Sequence, residues 1–429
     1  METEEDETGK TEEHETGQPR KSKVSILRQL FIPFLILIFL VGGTSIVVLY
    51  ARGYHFGFER GTPRLAGTGL MVVTSIPDGA QVSINDHLTT ATDNTINLAP
   101  GEYKVKIFKD GYFPWEKKLT VQEEVVAKAD ALLFPTTPKL EGITATGVHN
   151  PVLDPSLTKI AYTVSSQSAN VKNGVYVLDM NSRPILTLTS AASQIANENV
   201  DQFSNASLRW SPDGLQLLAT IPTINVTNPT QYLLEANTLN QTPQDITPTL
   251  ETTLTTWAAE QQQKDLARIQ TLRPTLRKVM NEHFKVIAWS PDETRVLYQA
   301  SDSASMPIII KPRLIGSDTT PEQRDIKQGF VYVYDIKEDK NFQIDIAPNV
   351  LEETKHMPVM WYPDSRHLLY VHDKKIDIID YDGLNQITVY AGPFEDHYIF
   401  PWPNGSKIVV LTNLGNPAIP PNLYTISLK

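Results

Sequence analysis

The chain has no cysteine among its 429 residues, which excludes disulfides, thiol nucleophiles and thiolate-held zinc or iron–sulfur centres. Stability must come from packing. A basic footprint is missing too: beyond residue 51, 33 Lys and Arg stand against 41 Asp and Glu, a net charge of −8, so nucleic acid is not expected as a partner. The sequence-local signatures of catalysis are also absent. There is no Gly-x-Ser-x-Gly elbow, no His-Glu-x-x-His pair, no phosphate-cradling glycine loop and no calcium loop. His356, His367, His372 and His397 gather toward the C-terminus without the helical i, i+4 spacing of a metal site. No catalytic residue, metal or cofactor is therefore assigned.

What is present is unevenly distributed. Residues 1–18 carry eight acidic side chains against one lysine, and Arg20, Lys21, Lys23 and Arg28 follow as a basic cluster. Residues 29–51 carry no charge, slightly more than the ~20 residues a helix needs to cross a hydrocarbon core. A cleavable signal would have a shorter apolar region and a small-x-small site, which Val48-Leu49-Tyr50-Ala51-Arg52 does not offer. The expectation is a disordered cytoplasmic tail over 1–28, a single transmembrane helix over 29–51 acting as an uncleaved signal-anchor in the cell membrane, a linker over 52–67 and an extracytoplasmic C-terminal region.

From residue 68 the pattern changes to period two. Met71 and Val73, Val82 and Ile84, then Tyr103, Val105 and Ile107 alternate with polar neighbours, as in a half-buried antiparallel sheet. Pro77-Asp78-Gly79, Pro100-Gly101 and Lys109-Asp110-Gly111 supply turns. About six strands over 68–136 predict a small β-sandwich. Pro77-Asp78-Gly79-Ala80, the strand 81–85, the Leu98–Gly101 turn, the strand 102–108 and Gly111-Tyr112-Phe113-Pro114-Trp115 resemble the PEGA domain, with aspartate in the second place of its turn. The resemblance implies an extracytoplasmic module of envelope proteins, associated with surface carbohydrate and without catalytic residues. Tyr112, Phe113 and Trp115 are the candidate glycan contacts, since an aromatic face suits a sugar ring; the competing reading puts them in the sandwich core.

Over 137–429 one turn followed by one strand recurs five times. Trp210-Ser211-Pro212-Asp213-Gly214 and Trp289-Ser290-Pro291-Asp292 are clear, Trp361-Tyr362-Pro363-Asp364 follows, and Asp154-Pro155-Ser156 and Trp402-Pro403-Asn404-Gly405 are degenerate. The prolines lie 57, 79, 72 and 40 residues apart. Two insertions account for the long intervals: about 250–284 with apolar residues at helical spacing, and about 303–328, a polar surface loop. What remains approaches the ~40–45 residues of a four-stranded blade. These repeats resemble TolB-like and WD40-like β-propellers. The expected ectodomain is all-β, a PEGA-like sandwich followed by a five-bladed β-propeller, with six blades as the alternative if 185–207 hides a degenerate one.

The functional expectation is a non-enzymatic, membrane-anchored binding or scaffold protein of the cell envelope that takes a polysaccharide or a protein partner. A propeller-type carbohydrate-active hydrolase is the rival, and would need Asp or Glu side chains converging within ~5–10 Å. A single-pass sensor acting through the acidic tail is the third reading.

Overall fold

In the computed structural model, residues 23–51, 55–59, 62–168, 171–181, 192–222, 229–346, 348 and 358–429 are described. Helix α1 (Lys23–Ala51) contains a 21-residue stretch, Phe31–Ala51, with mean hydropathy 2.6 and no burial against the rest of the chain. It is long and apolar enough to cross a membrane. The segment expected as a linker instead carries a hairpin, β1 (His55–Glu59) paired with β2 (Thr62–Ala66). A two-residue connection between two extended runs is the usual spacing of a hairpin.

The sandwich has seven strands: β3 (Gly69–Ile76), β4 (Gln81–Ile84), β5 (His87–Ala91), β6 (Asn94–Leu98), β7 (Gly101–Phe108), β8 (Trp115–Val121) and β9 (Val126–Leu132). One sheet has the order β6-β3-β9, the other β5-β4-β7-β8. Met71, Val73, Val82, Val105, Ile107, Leu119 and Val121 interdigitate between them. The antiparallel expectation fails at one pair, because β3 and β9 run parallel, from Leu70 opposite Val126 to Ile76 opposite Leu132. After β8 the chain crosses from one sheet to the other and enters beside β3 in the same direction, a connection that no hairpin turn can make.

The chain then enters a β-propeller. β10 (Leu140–Gly142) leads into sheet I, formed by β11 (His149–Leu153), β12 (Lys159–Val164), β13 (Gly174–Asp179) and β14 (Ala192–Asn197). Sheet II is β15 (Ser207–Trp210), β16 (Gln216–Ile221), β17 (Thr230–Glu235) and β18 (Gln244–Asp245). Helices α2 (Leu250–Gln270) and α3 (Pro274–His283) intervene, with Pro274 at the start of α3, where its missing N–H costs least. Sheet III is β19 (Phe284–Trp289), β20 (Arg295–Ala300), β23 (Val331–Asp335) and β24 (Lys340–Gln343). Between β20 and β23 the chain adds a small ladder of β21 (Ala304–Ser305) and β22 (Asp325–Ile326). Sheet IV is β25 (Val359–Trp361), β26 (His367–His372), β27 (Lys375–Asp380) and β28 (Ile387–Ala391). Sheet V is β29 (Ile399–Pro401), β30 (Lys407–Thr412) and β31 (Asn422–Ser427), with β10 returning as its fourth strand. The described residues thus form five four-stranded antiparallel sheets, and the two ends of the propeller segment meet in sheet V. Of 185–207, residues 192–197 are the outer strand of sheet I, and 182–191 lie outside the described residues.

All five inner turns share one geometry. The fourth turn residue takes a left-handed φ in each: Leu157 (59°), Gly214 (70°), Glu293 (56°), Ser365 (61°) and Gly405 (65°). Its amide donates back three residues, for example Gly214 to the Ser211 carbonyl at 3.0 Å and Glu293 to the Ser290 carbonyl at 2.8 Å. Where serine and aspartate are present they bind each other, Ser290 Oγ to Asp292 Oδ1 at 2.7 Å, and Ser290 Oγ also accepts the Arg295 amide at 2.9 Å. Sequence becomes turn here through side-chain mimicry of backbone hydrogen bonds.

Side-chain alternation then decides which sheets touch. On β16, Leu217, Ala219 and Ile221 face sheet I, whereas Leu218 faces Trp257 of α2. On β20, Leu297 faces sheet IV, whereas Val296, Tyr298 and Ala300 face Leu272, Leu276, Val279 and Met280 around α3. The helical pair therefore fills the space between sheets II and III where two blades would otherwise pack face to face. Trp210 and Trp361 each donate an indole N–H to the preceding inner strand, at Val152 O (3.1 Å) and Ala288 O (3.2 Å). Trp289, the corresponding residue of sheet III, instead borders a cavity of about 250 Å³ with Leu272 and Leu276.

Candidate functional site

Strand β8 places Trp115, Leu119 and Val121 in the sandwich core, and Lys117 occupies the same inward register. Because β8 is an edge strand, the Lys117 side chain leaves the sandwich and enters the propeller. Its Nζ lies 2.8 Å from Asp318 Oδ2 and 2.6 Å from Asp382 Oδ2, with only 10% of the lysine side chain exposed. Tyr381 donates its hydroxyl to Asp318 (2.6 Å), and Thr320 donates to Asp382 (2.6 Å). Burial alone would lower the lysine pKa, but the two carboxylates raise it above its ordinary value. Burial would raise that of Asp318, yet Lys117 and the hydrogen bonds bring it down to about 2. The result is a lysine shared between two carboxylates, reaching from one domain into the other.

A second buried cation lies beside it. His367 donates from Nδ1 to Asp364 (2.6 Å) and lies 3.2 Å through Nε2 from Asp380. Burial disfavours its charge, but the two carboxylates outweigh that and lift its pKa to about 10, so the ring is an imidazolium at neutral pH. Phe134, at the end of the sandwich, sets its ring edge-on to His367 at 5.5 Å and to Tyr362 at 6.0 Å. Asp380 also accepts the Trp115 indole N–H at 3.1 Å, and the Glu116 amide donates to Asn385 at 3.0 Å. Arg366 pairs with Asp130 at the rim. The insertion read as a free surface loop contributes Asp318, Thr319 and Thr320 to this joint, with Thr319 donating to the Lys118 carbonyl at 2.9 Å. Gly316, at φ +72°, lets that loop approach β9; a Cβ there would stand 3.3 Å from Val125.

The three aromatic candidates lie close to this joint. Trp115 is only 6% exposed and its ring belongs to the sandwich core, so it offers no open face to a sugar. Phe113 packs against the apolar cluster of sheets IV and V, and Tyr112 against the sandwich core. Lys117, Asp318 and Asp382 were not singled out in the sequence, and His367 was weighed there only as a metal ligand. The available signal was Lys117 itself, a charge in the apolar register of β8. Of the histidines, His367 is buried, His372 stacks on Tyr370 at 4.6 Å, His397 is exposed and His356 lies outside the described residues. Among the described residues no group of three His, Asp or Glu side chains is placed to hold a metal. Asp318 and Asp382 are the nearest thing to a paired acid, but the Lys117 ammonium sits between them and the Asp382 side chain has no exposure. Lys117 thus fills the space between the two acids where the oxygen of a scissile bond would have to sit.

Above the ion-paired floor lies an open cleft of about 610 Å³, walled by β8 and β9 on one side and by the turns of sheets III and IV on the other. Its lining is mainly polar and charged.

These features define a class: a chain with an apolar N-terminal helix, a small β-sandwich and a β-propeller locked together by buried charge. Residues 68–136 match the model of the PEGA domain. No curated protein matches the chain. Among solved structures it is similar to a putative TolB from Agrobacterium tumefaciens (13% identity over 64% of this chain and 76% of that one, TM-score 0.21). It is also similar to TolB from Acinetobacter baumannii (15%, 76% and 60%, TM-score 0.22) and to the β-propeller domain of Myceliophteria_thermophila Cps50 (Swd1) (10%, 68% and 100%, TM-score 0.29).

Proposed function

We propose that the chain is a single-pass envelope protein, with its N-terminus in the cytoplasm and the sandwich and propeller outside, that binds or scaffolds an envelope polysaccharide or protein without catalysing a reaction on it. The docked interface carries this reading. Two modules joined by a buried lysine and a buried imidazolium present one continuous surface with a cleft, which suits holding a partner in a fixed orientation. The PEGA match and the 21-residue apolar stretch support placement at the envelope. The occupied Asp318 and Asp382 pair counts against a hydrolase working at this joint.

The test uses the full chain in detergent micelles, immobilised and exposed separately to isolated envelope polysaccharide and to solubilised envelope proteins. Saturable retention of one of them without new reducing ends is expected. Release of reducing ends would replace this reading with the hydrolase, and retention of neither would overturn it. Deletion of residues 1–18 is expected to leave retention unchanged, since the proposed topology assigns binding to the sandwich and propeller across the membrane from the tail.

A further inference from the structure

The floor of the cleft is ion-paired, and two lysines on its walls stand outside those pairs. Of the acids around it, Asp318 and Asp382 are occupied by Lys117, Asp364 and Asp380 by His367, Asp335 by Arg295 (2.8 Å) and Asp130 by Arg366. Glu338 accepts the Asp318 amide at 2.8 Å and is held above the usual carboxylate range by burial. Two more cations line the same space. Lys128 projects from β9 on the face that carries Val126 and Asp130, and Lys337 comes from the turn between β23 and β24. Both are exposed, and neither ammonium has a described partner. A third, Lys340, is held by a backbone carbonyl of Asp318.

Isolated surface lysines are ordinary. Two that converge on one concavity from different domains, in a region whose net charge is −8, are less so. A cleft with low-dielectric walls focuses the field of such charges on whatever enters it. The volume falls in the range of ligand sites, roughly 300–1,000 Å³, while the polar lining disfavours an apolar occupant.

We propose that this cleft binds a ligand bearing oxyanions, carboxylate or phosphate groups on a hydrophilic chain, with Lys128 and Lys337 as the principal contacts. The assignment rests on the binding reading above and specifies its site and ligand class. The cleft forms only when the sandwich is docked, so ligand binding and docking stabilise each other.

The experiment measures binding by calorimetry with the full chain in neutral detergent, using tripolyphosphate, an oligogalacturonate and, as the uncharged control, maltotriose. Saturable binding of at least one anion that weakens with added salt is expected, with none of maltotriose. The double variant K128A/K337A is expected to lose about 10- to 100-fold in affinity, as two charge-assisted contacts would imply, while its melting temperature stays unchanged. K278A, on the exposed face of α3, is expected to bind as the parent does. Which anion binds identifies the phosphate or the carboxylate source. Failure of both anions, or equal binding by K128A/K337A, overturns the assignment. If an envelope component is still retained in that case, only the cleft assignment falls; if retention fails too, both do.

Discussion

Two additions are joined to the propeller's sheets, a helical wedge and the sandwich, and the two joints differ in chemistry. Between sheets II and III, α2 and α3 bring Trp257, Leu276, Val279 and Met280 against flanks that bear Leu218, Val296 and Tyr298. At sheets III and IV, the sandwich closes the turn face with Lys117, Asp318, Asp382 and His367. The first joint is non-directional and tolerant in register. The second specifies a single docked pose, because each buried charge is stable only beside its own counter-charge. A wedge of apolar helices is suited to completing a fold; a charged joint is suited to fixing the orientation of one domain on another.

The comparison is broken most strongly by Lys117→Ala. Removing the ammonium leaves Asp318 and Asp382 facing each other in a buried site, a loss of about 3–5 kcal/mol. Denaturant unfolding should then separate into two transitions, with the propeller's own midpoint little changed. Lys117→Met combined with Asp382→Asn should recover part of the loss, because one carboxylate, Asp318, rather than two facing carboxylates is then left without its cation. A single unshifted transition in Lys117→Ala would show that the charges do not hold the domains.

Leu276→Ala should cost about 2–4 kcal/mol through the cavity it leaves in the wedge. This loss should appear in the main transition rather than as a second one, since sheets II and III depend on the helices for their packing. Release of the helices with the sheets still intact would contradict that.

Alkaline pH separates the two joints by a different route. The folded pKa of His367, about 10, lies above the ordinary histidine value of 6.5. Its contribution is therefore fully present below about pH 6.5 and is lost as pH rises toward 10, a change on the order of a few kcal/mol. Limited proteolysis between the domains should accelerate over that window in the parent and lose this dependence in His367→Gln.

The smallest expected effect concerns the turns. Glu293 holds a left-handed φ that glycine takes at Gly214, so Glu293→Gly should stabilise by a few tenths to about 1 kcal/mol, read as a higher melting temperature. Its exposed ion pair with Arg268 offsets little of this.

The elements easiest to read from the sequence are those made by neighbours in sequence. The Trp-Ser-Pro-Asp-Gly turn is legible because Ser211, Asp213 and Gly214 satisfy one another within a few residues. The sandwich is legible because Met71, Val73, Val82 and Ile107 alternate with polar residues, as a two-faced sheet requires. What could not be read depends on partners far apart. Trp115 and Asp380 are 265 residues apart, and nothing local to Asp318 marks it as the counter-ion of a lysine in another domain. Likewise, helical spacing reveals α2 and α3 but not that they lie between two sheets; that follows from which faces of β16 and β20 remain uncovered. The parallel pairing of β3 with β9 was hidden for the same reason, since alternation is identical in parallel and antiparallel strands.

The most direct test of the docked joint exploits the absence of native cysteine. Spin labels at Thr89→Cys on the sandwich and Thr238→Cys on the propeller, both exposed, report the distance between the domains by double electron–electron resonance. A single narrow distribution that broadens when Lys117→Ala is added is the expected result. A broad distribution in the otherwise unaltered chain would show that the sandwich is tethered rather than docked, and that the cleft is not a fixed feature of the protein.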